Sequence, residues 1–266
     1  MTFLKTLPNG LSVHGLNRHE TDYLYKEIFE DEGYLPPGGF DLPERPVVVD
    51  VGANIGMFAL YAHGKWAGAR LYCFEPAPRT VEALRRNVAG LPDVQVFELA
   101  LGGTAQTREL TFYPRYSMMS GFDADPAQDR ALVRSYIENV AASLDDPVRR
   151  EVLVDEADEL LEGRFDEVER VPCRVERLDT MAAVLGLDRI DLLKIDVEGF
   201  ELQVLEGIGD ALWPRIRNAA VEVEGDSARL DTVTALFARH GMRTRVGQPD
   251  DYRGTDVFTL FATRTT

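Results

Sequence analysis

Residues 47–52, VVVDVG, constrain the fold of this chain more than any other segment. This short apolar run ends in glycine, and the helical pattern IGMFALYAHGKW follows it. The alternation recurs downstream, with a strand predicted at 70–74, a helix at 78–89 and a strand at 94–99. Strands that alternate with helices need crossover connections, which produce parallel sheets. We therefore predict an α/β fold in which helices cover both faces of a mostly parallel sheet.

Strand character returns in the second half of the chain. The runs at 190–197 (IDLLKIDV) and 218–224 are predicted to be buried strands, and helices are predicted at 200–206 and 230–240. A last strand is predicted at 257–262, antiparallel and at the edge of the sheet. The sheet is therefore expected to continue to the C-terminal end of the sequence.

Two regions fall outside this alternation. Residues 1–45 are predicted to form a hairpin followed by a helix over 19–31, which together cap the cleft of the core at 46–266. Within that core, residues 114–170 are predicted to form a helical lid or insertion with an acidic stretch. For this insertion, a solvated surface helix and a role in substrate access both stay open.

The charge balance restricts the partners of the chain. Lys and Arg number 29 against 45 Asp and Glu, for a formal net charge of -16. Such a surface repels phosphate backbones, so nucleic acid is not an expected partner. The first ten residues contain no long apolar segment and no apolar run approaches a bilayer span, so a cytoplasmic location without membrane contact is expected. Cys73 and Cys173 lie in apolar runs and are predicted to be buried free thiols.

The turn after the first apolar strand has the spacing of a ligand-binding loop. Asp50, Gly52 and Gly56 form the pattern D-x-G-x-x-x-G, and glycine permits the close backbone approach that a nucleotide needs. Asn54 stands where the dinucleotide fingerprint has its second glycine, and a pyrophosphate requires that glycine. S-adenosylmethionine (SAM) has no pyrophosphate, and an acid such as Asp50 can accommodate its cationic sulfonium. The loop therefore predicts a SAM site.

A second acid follows the next strand. Glu75 lies 19 positions after Gly56 in the sequence CFEP, close to the spacing of the acid that binds ribose hydroxyls in nucleotide-binding α/β folds. Ligands bind at the carboxyl ends of the strands in such sheets. We therefore expect Glu75 and the adjacent Pro76 to contact the cofactor, with backbone contacts from Ala100 beside the adenine.

Two later strand ends carry more acids. Asp196 and Glu198 lie in KIDVEG, and Glu222 and Glu224 lie in VEVEG. Such a cluster can bind a hard divalent cation such as Mg²⁺ through Asp196 and Glu222, act as a general base through Asp196, Glu198 or Glu224, or line a polar cleft. His19, in the N-terminal segment, is a further candidate base. The residues alone leave these alternatives open.

Several segments together resemble one known family. They are HETDYLYKEIFEDEGY, VVVDVGANIGMFAL, FEPAP, ELALG, ERLDT and LLKIDVEGFELQVLEG, in this order between residue 19 and about residue 224. They are similar to FkbM-type methyltransferases. The resemblance implies a class I methyltransferase fold with a seven-stranded sheet, SAM as cofactor and O-methylation of a hydroxyl, often on a polyketide or related natural product. The cofactor-side motifs of the family fall on Asp50, Gly52, Asn54, Glu75 and Asp196.

The resemblance leaves the acceptor open. The segment PRYSMMSGF also resembles methyltransferase domains in polyketide or peptide assembly lines, which implies a carrier-protein-bound acyl substrate. A free small molecule or a sugar is the alternative acceptor. A nucleotide-binding module without chemistry and a nicotinamide-dependent oxidoreductase are competing functions, and Asn54 argues against the latter. Residues 122–170 depart from shorter family members at the substrate entrance.

Overall fold

The computed structural model describes residues 2–155, 157 and 161–264. Its first element is an antiparallel hairpin of β1 (Phe3–Thr6) and β2 (Ser12–Gly15). The helix α1 (Arg18–Tyr25) follows and continues as one turn of π-helix, Lys26–Glu30. The side chain of Asn17 begins α1 because it accepts hydrogen bonds from the first backbone N–H groups of the helix.

Ten further strands follow the hairpin within the described residues. They are β3 (Val47–Val51), β4 (Arg70–Phe74), β5 (Val94–Phe97), β6 (Ala100–Leu101), β7 (Gln106–Phe112), β8 (Glu169–Glu176), β9 (Leu192–Ile195), β10 (Asn218–Glu224), β11 (Met242–Gly247) and β12 (Val257–Arg264).

The helices in the described part of the chain connect these strands. After α1 they are α2 (Met57–Lys65), α3 (Pro78–Val88), α4 (Pro126–Ser143), α5 (Pro147–Asp155), α6 (Leu178–Leu185), α7 (Glu201–Glu206) and α8 (Ser227–Arg239). Among these helices, none combines the length and the apolar character that a bilayer crossing needs. The α4 and α5 helices lie in the predicted insertion, of which residues 156 and 158–160 are outside the described part.

The central sheet has seven strands in the order β5-β4-β3-β9-β10-β12-β11. All neighbours are parallel except β12, which is antiparallel to both β10 and β11. The predicted seven-stranded, mostly parallel sheet is therefore confirmed. The predicted edge position of the last strand is wrong, because β12 lies between β10 and β11. A smaller sheet, in the order β6-β8-β7, extends beside the central one.

The central sheet separates two apolar cores. Alternation along β3 directs Val47, Val49 and Val51 to the core that contains α6, α7 and α8, and it directs Val48 to the core that contains α1, α2 and α3. The strand is entirely buried, including Asp50. A third cluster, which includes Tyr116, packs the loop after β7 against α4. Because β3, β4, β9 and β10 are parallel, their carboxyl ends lie at one edge of the sheet. Cys73 and Cys173 are both buried and free, as predicted.

Candidate functional site

The turn after β3 holds the centre of the site. Gly52 has a φ of +77°, and a Cβ atom at this position would lie 1.6 Å from the carbonyl oxygen of Asp196. Only glycine permits the ends of β3 and β9 to approach this closely. Gly56 caps α2 with a φ of +88°, and a Cβ there would lie 2.6 Å from Leu84 Cδ1. Gly52 therefore shapes the cavities described below, whereas Gly56 serves the packing of α2 on α3.

The first cavity, which we call the Glu75 cavity, has a volume of about 620 Å³ and lies over the ends of β3 and β4. Its wall includes Glu75, Pro76, Ala100 and the aromatic ring of Phe122. Glu75, Pro76 and Ala100, each predicted to contact the cofactor, therefore face one common space.

Glu75 is held in a fixed orientation by the backbone. The Asn54 N–H donates to Glu75 Oε2 and the Ala77 N–H donates to Oε1, both at 3.0 Å. Burial raises the pKa of Glu75 to about 7, because the two N–H donors offset only part of the desolvation of the carboxylate. Each oxygen keeps a free lone pair for a ligand hydroxyl.

The second cavity, which we call the acidic cavity, has a volume of about 760 Å³. Tyrosines, methionines and other apolar side chains form much of its wall. Five acids also line it, namely Glu27, Asp196, Glu198, Glu222 and Glu224. The two cavities share Gly52, Asn54, Met118, Asp196 and Glu198, which therefore mark the place where they meet.

Lys194 and two acids form a buried ionic group at this junction. Lys194 Nζ lies 3.3 Å from Asp50 Oδ1 and 3.3 Å from Asp196 Oδ2, and it donates to the carbonyl of Gly52 at 2.8 Å. Although burial lowers the pKa of Lys194, the two carboxylates raise it above its ordinary value. The hydroxyl of Tyr34 donates to Asp196 Oδ2 at 2.8 Å. Lys194 and Asp196 thus share one face of the strand end, as the sequence predicts.

Asp50 lies beneath this group rather than on a cavity wall. It is completely buried, and it lines neither the Glu75 cavity nor the acidic cavity. Burial raises the pKa of Asp50 to about 6, and Lys194 opposes the shift. The structure therefore places Asp50 as a partner of Lys194, and a direct contact of Asp50 with a cofactor stays a prediction.

Glu198 occupies a special position at the junction. Its φ of +53° is in the left-handed region, which is uncommon for a residue with a side chain and typical of functional sites. Burial, followed by the charge of Glu224, raises the pKa of Glu198 well above its ordinary value. Burial, followed by the charge of Asp196, raises the pKa of Glu224 to about 7. Both carboxyl groups therefore hold a proton more readily than exposed glutamates do.

His19 is placed differently from the other candidates. It is exposed on α1 and lines neither of the two cavities. The neighbouring Glu20 is the residue that α1 directs inward, where it accepts hydrogen bonds from Ser117 N at 3.1 Å, Ser117 Oγ at 2.7 Å and Met118 N at 3.2 Å. Because His19 does not reach the acidic cavity, we assign it no role in the proposed mechanism.

The acids do not form a recognisable metal site. Among residues 2–155, 157 and 161–264, no group of three or more His, Cys, Asp or Glu side chains is arranged to hold a metal ion. Asp196 is instead paired with Lys194, and Glu222 does not line the junction of the two cavities. The cation predicted for Asp196 and Glu222 is therefore not part of the function proposed below.

Some residues of the site were not singled out from the sequence. Glu27 and Tyr34 line the acidic cavity from the N-terminal segment, and Glu20 fastens the loop that carries Met118. The signal that points to them is the family-like segment HETDYLYKEIFEDEGY, in which all three lie. Periodicity within that segment does not tell which acids turn inward, because acids occur on several faces of the helix.

Comparison with known proteins agrees with this geometry. The model of the methyltransferase FkbM domain matches residues 50–243. The chain is 39% identical to the 31-O-demethyl-FK506 methyltransferase FkbM of Streptomyces tacrolimicus, over 97% of this chain and 96% of that protein. It is also 39% identical to the AMB antimetabolite synthetase AmbE of Pseudomonas aeruginosa, over 97% of this chain, which spans only 12% of the length of AmbE.

A solved structure shows the same fold. The crystal structure of methyltransferase FkbM from Methylobacillus flagellatus superposes with a TM-score of 0.52 at 16% identity, over 89% of this chain and 47% of that one. This likeness, together with the strand order of the central sheet, shows a class I methyltransferase fold. From the domain match and the near full-length similarity, we conclude that this chain belongs to the FkbM family of methyltransferases.

Proposed function

We propose that this protein is a SAM-dependent O-methyltransferase that acts on a hydroxyl or enol of a natural-product intermediate. The observation that carries the proposal is the junction of the two cavities at Asp196 and Glu198, with the carboxylate of Glu75 in one of them. A methyl donor in the Glu75 cavity and an acceptor in the acidic cavity would meet at this junction.

The side chains of the Glu75 cavity suit the parts of SAM. Phe74, Leu101 and Phe122 provide flat apolar surface for an adenine, and the oriented carboxylate of Glu75 provides acceptors for two ribose hydroxyls. At the junction, Asp196 and Glu198 offer negative charge to a cationic sulfonium. The residues therefore fit the cofactor part by part.

When bound, SAM supplies an activated methyl group on a positively charged sulfur. The chain itself must bind the acceptor, orient its oxygen toward the junction and remove its proton. Glu198 is the residue that we assign to the proton, because it lines both cavities and its raised pKa makes it a stronger base. The proton passes from the acceptor hydroxyl to the carboxylate of Glu198.

The relatives suggest two kinds of acceptor. A methyltransferase named for 31-O-demethyl-FK506 favours a free natural product with a hydroxyl group. The second candidate is an acyl group bound to a carrier protein, and the similarity to a segment of a much longer antimetabolite synthetase is compatible with it. Both acceptors present an oxygen, so both are compatible with the role assigned to Glu198.

Cofactor binding is the first test. Isothermal titration of the wild-type protein with SAM should show binding near micromolar affinity, and the Glu75→Gln variant should bind about 100-fold more weakly. The exposed Glu82 on α3 is the matched control, and Glu82→Gln should keep wild-type affinity. Absence of SAM binding by the folded wild-type protein would refute the proposed function.

Methyl transfer is the second test. Incubation with SAM and hydroxyl-bearing acceptors, free or loaded on a carrier protein, should add one methyl group to the acceptor, which intact-mass analysis detects. EDTA should leave the rate of methyl transfer unchanged. Glu198→Gln should lower the transfer rate by about 100-fold, since a positioned general base contributes about this much. Transfer at the wild-type rate by Glu198→Gln would remove Glu198 from the mechanism.

A further inference from the structure

The acids of the acidic cavity differ in how their charge is balanced. Asp196 has Lys194 and the hydroxyl of Tyr34 as partners. Glu27 accepts a hydrogen bond from the hydroxyl of Tyr23 at 2.9 Å. Within the described residues the carboxylates of Glu198 and Glu224 have no hydrogen bond or ion pair, and both also line the cavity that contains Arg229.

Glu222 differs from Glu198 and Glu224 in position, because it lines neither the Glu75 cavity nor the cavity that contains Arg229 and lies instead beside Glu27. Within the described residues its carboxylate receives no hydrogen bond and forms no ion pair, although it faces the acidic cavity. Burial of an acid without a partner is unfavourable, and it raises the pKa of Glu222 well above its ordinary value. A ligand that brings positive charge to this carboxylate would offset that cost.

The cofactor does not supply this charge. Glu222 lines the acidic cavity and a smaller adjoining pocket that it shares with Glu27 and Tyr252, but it does not line the Glu75 cavity. The acids shared by both cavities, Asp196 and Glu198, are the ones that face a bound donor. Lys194 is the single basic residue among the described residues of the acidic wall, and two carboxylates already surround it.

An open cavity that leads to this site is acidic as well. It has a volume of about 1230 Å³ and joins the acidic cavity at Met119, Leu132, Glu198 and Glu224. Its other acids are Asp123, Asp125, Asp129 and Asp256. Its one basic residue within the described chain is Arg229, which donates to the carbonyl groups of Gly199 at 2.7 Å and Glu224 at 2.9 Å. Such a path attracts cations and repels anions.

We propose that the acceptor of this enzyme carries an ammonium group as well as the hydroxyl, and that Glu222, supported by Glu27, binds the ammonium group. This inference rests on the proposed function, because it concerns the acceptor side of the same site. The rings of Tyr23, Tyr136 and Tyr252 lie on the same wall, and aromatic faces stabilise an adjacent cation. The acceptor class is therefore an amino alcohol or an aminoacyl group with an oxygen to be methylated.

The test uses ethanolamine, the smallest compound with both groups, and N-acetylethanolamine, which keeps the hydroxyl and lacks the charge. Both are titrated calorimetrically at pH 7.5 into protein saturated with S-adenosylhomocysteine. Wild-type protein should bind ethanolammonium at least about tenfold more tightly than the neutral amide, as expected for a hydrogen bond between charged groups. Equal affinity for the two compounds, or no binding of ethanolammonium, overturns the inference.

Variants separate the role of Glu222 from a general charge effect. Glu222→Gln should abolish the preference for ethanolammonium, and Glu222→Asp should retain most of it. Glu109→Gln removes the same charge from an exposed position on β7 outside these cavities and should leave the preference unchanged. Glu27→Gln, expected to reduce the preference several-fold, provides a second measurement should Glu222→Gln fail to fold.

Affinity for SAM distinguishes a failure of this inference from a failure of the proposed function. Glu222→Gln should keep the SAM affinity of the wild type within about twofold, because Glu222 lies away from the Glu75 cavity. A large loss of SAM affinity in this variant would assign Glu222 to the cofactor and overturn the inference. Wild-type protein that binds SAM but shows no preference for ethanolammonium refutes only the inference, whereas protein that does not bind SAM refutes the proposed function.

Discussion

Replacement of Gly52 by alanine tests the close approach on which the whole site depends. The backbone at Gly52 has a φ of +77°, and an added Cβ atom would lie 1.6 Å from the carbonyl oxygen of Asp196 and 2.8 Å from the carbonyl carbon. These are backbone atoms of the β9 end, so no side-chain rotation relieves the overlap. The ends of β3 and β9 must therefore separate if alanine is accommodated.

The structure offers a matched control for this substitution. Gly10, in the turn of the N-terminal hairpin, has a φ of +86° and nothing within 4 Å of an added Cβ atom. The left-handed conformation costs alanine about 1–2 kcal/mol at either position. Overpacking adds about 1–3 kcal/mol at Gly52 alone. We therefore expect Gly52→Ala to lower the free energy of unfolding by about 1–3 kcal/mol more than Gly10→Ala does.

Urea denaturation, followed by circular dichroism, measures this difference through the shift of the midpoint at a common slope. SAM titration of the folded variants provides a second readout, because Gly52 lines both cavities and Gly10 lines neither. Gly52→Ala should lose more than tenfold in SAM affinity, and Gly10→Ala should lose none. Equal stability and equal SAM affinity of the two variants would show that the β3 and β9 ends do not approach as described.

Three further substitutions test the ionic groups around the site. Lys194→Met leaves Asp50 buried without its cation and should cost about 3–5 kcal/mol of unfolding free energy. Asp50→Asn should restore part of this loss in the double variant, and additive effects would mean that the two residues do not interact. Tyr34→Phe removes the 2.8 Å hydrogen bond to Asp196 and should reduce the methyl-transfer rate roughly tenfold. The melting temperature should stay near that of the wild type, and an unchanged rate would argue that Tyr34 does not position Asp196. Burial raises the pKa of Glu20 to about 7 from about 4.3 in an unfolded chain, so the folded state holds more protons and stability should decrease as pH rises through this window. The melting temperature of Glu20→Gln should therefore decrease less between pH 5 and pH 8 than that of the wild type. An equal decrease in both proteins would contradict the raised pKa of Glu20.

Much of the cofactor side follows from local sequence patterns. The segments VVVDVGANIG and CFEP place Gly52 and Glu75 at the ends of two apolar strands, and strand ends of a parallel sheet share one edge. The structure brings Glu75, Pro76 and Ala100 to one cavity without any long-range information beyond that rule. The class of fold is predictable for the same reason, because alternating strands and helices permit few topologies.

The order of the last strands is not predictable in this way. Sequence order suggests that the final strand joins the sheet at its edge, but β12 inserts between β10 and β11. The missed strand β11, MRTRVG, is short and mostly polar, so it lacks a strong apolar signal. Its place is set by pairing with β12 over six residues, which is a tertiary interaction.

The residues of the acceptor side show where local pattern ends and tertiary structure begins. The sequence alone places acids at the ends of β9 and β10, since alternation and strand boundaries are local properties. It does not tell that Lys194 neutralises Asp50 and Asp196 whereas Glu222 keeps no partner in the described chain. Those differences depend on which side chains from distant segments meet in the cavity, and hence on packing of the whole fold. The tertiary structure thereby decides which acids line the cavity without a partner.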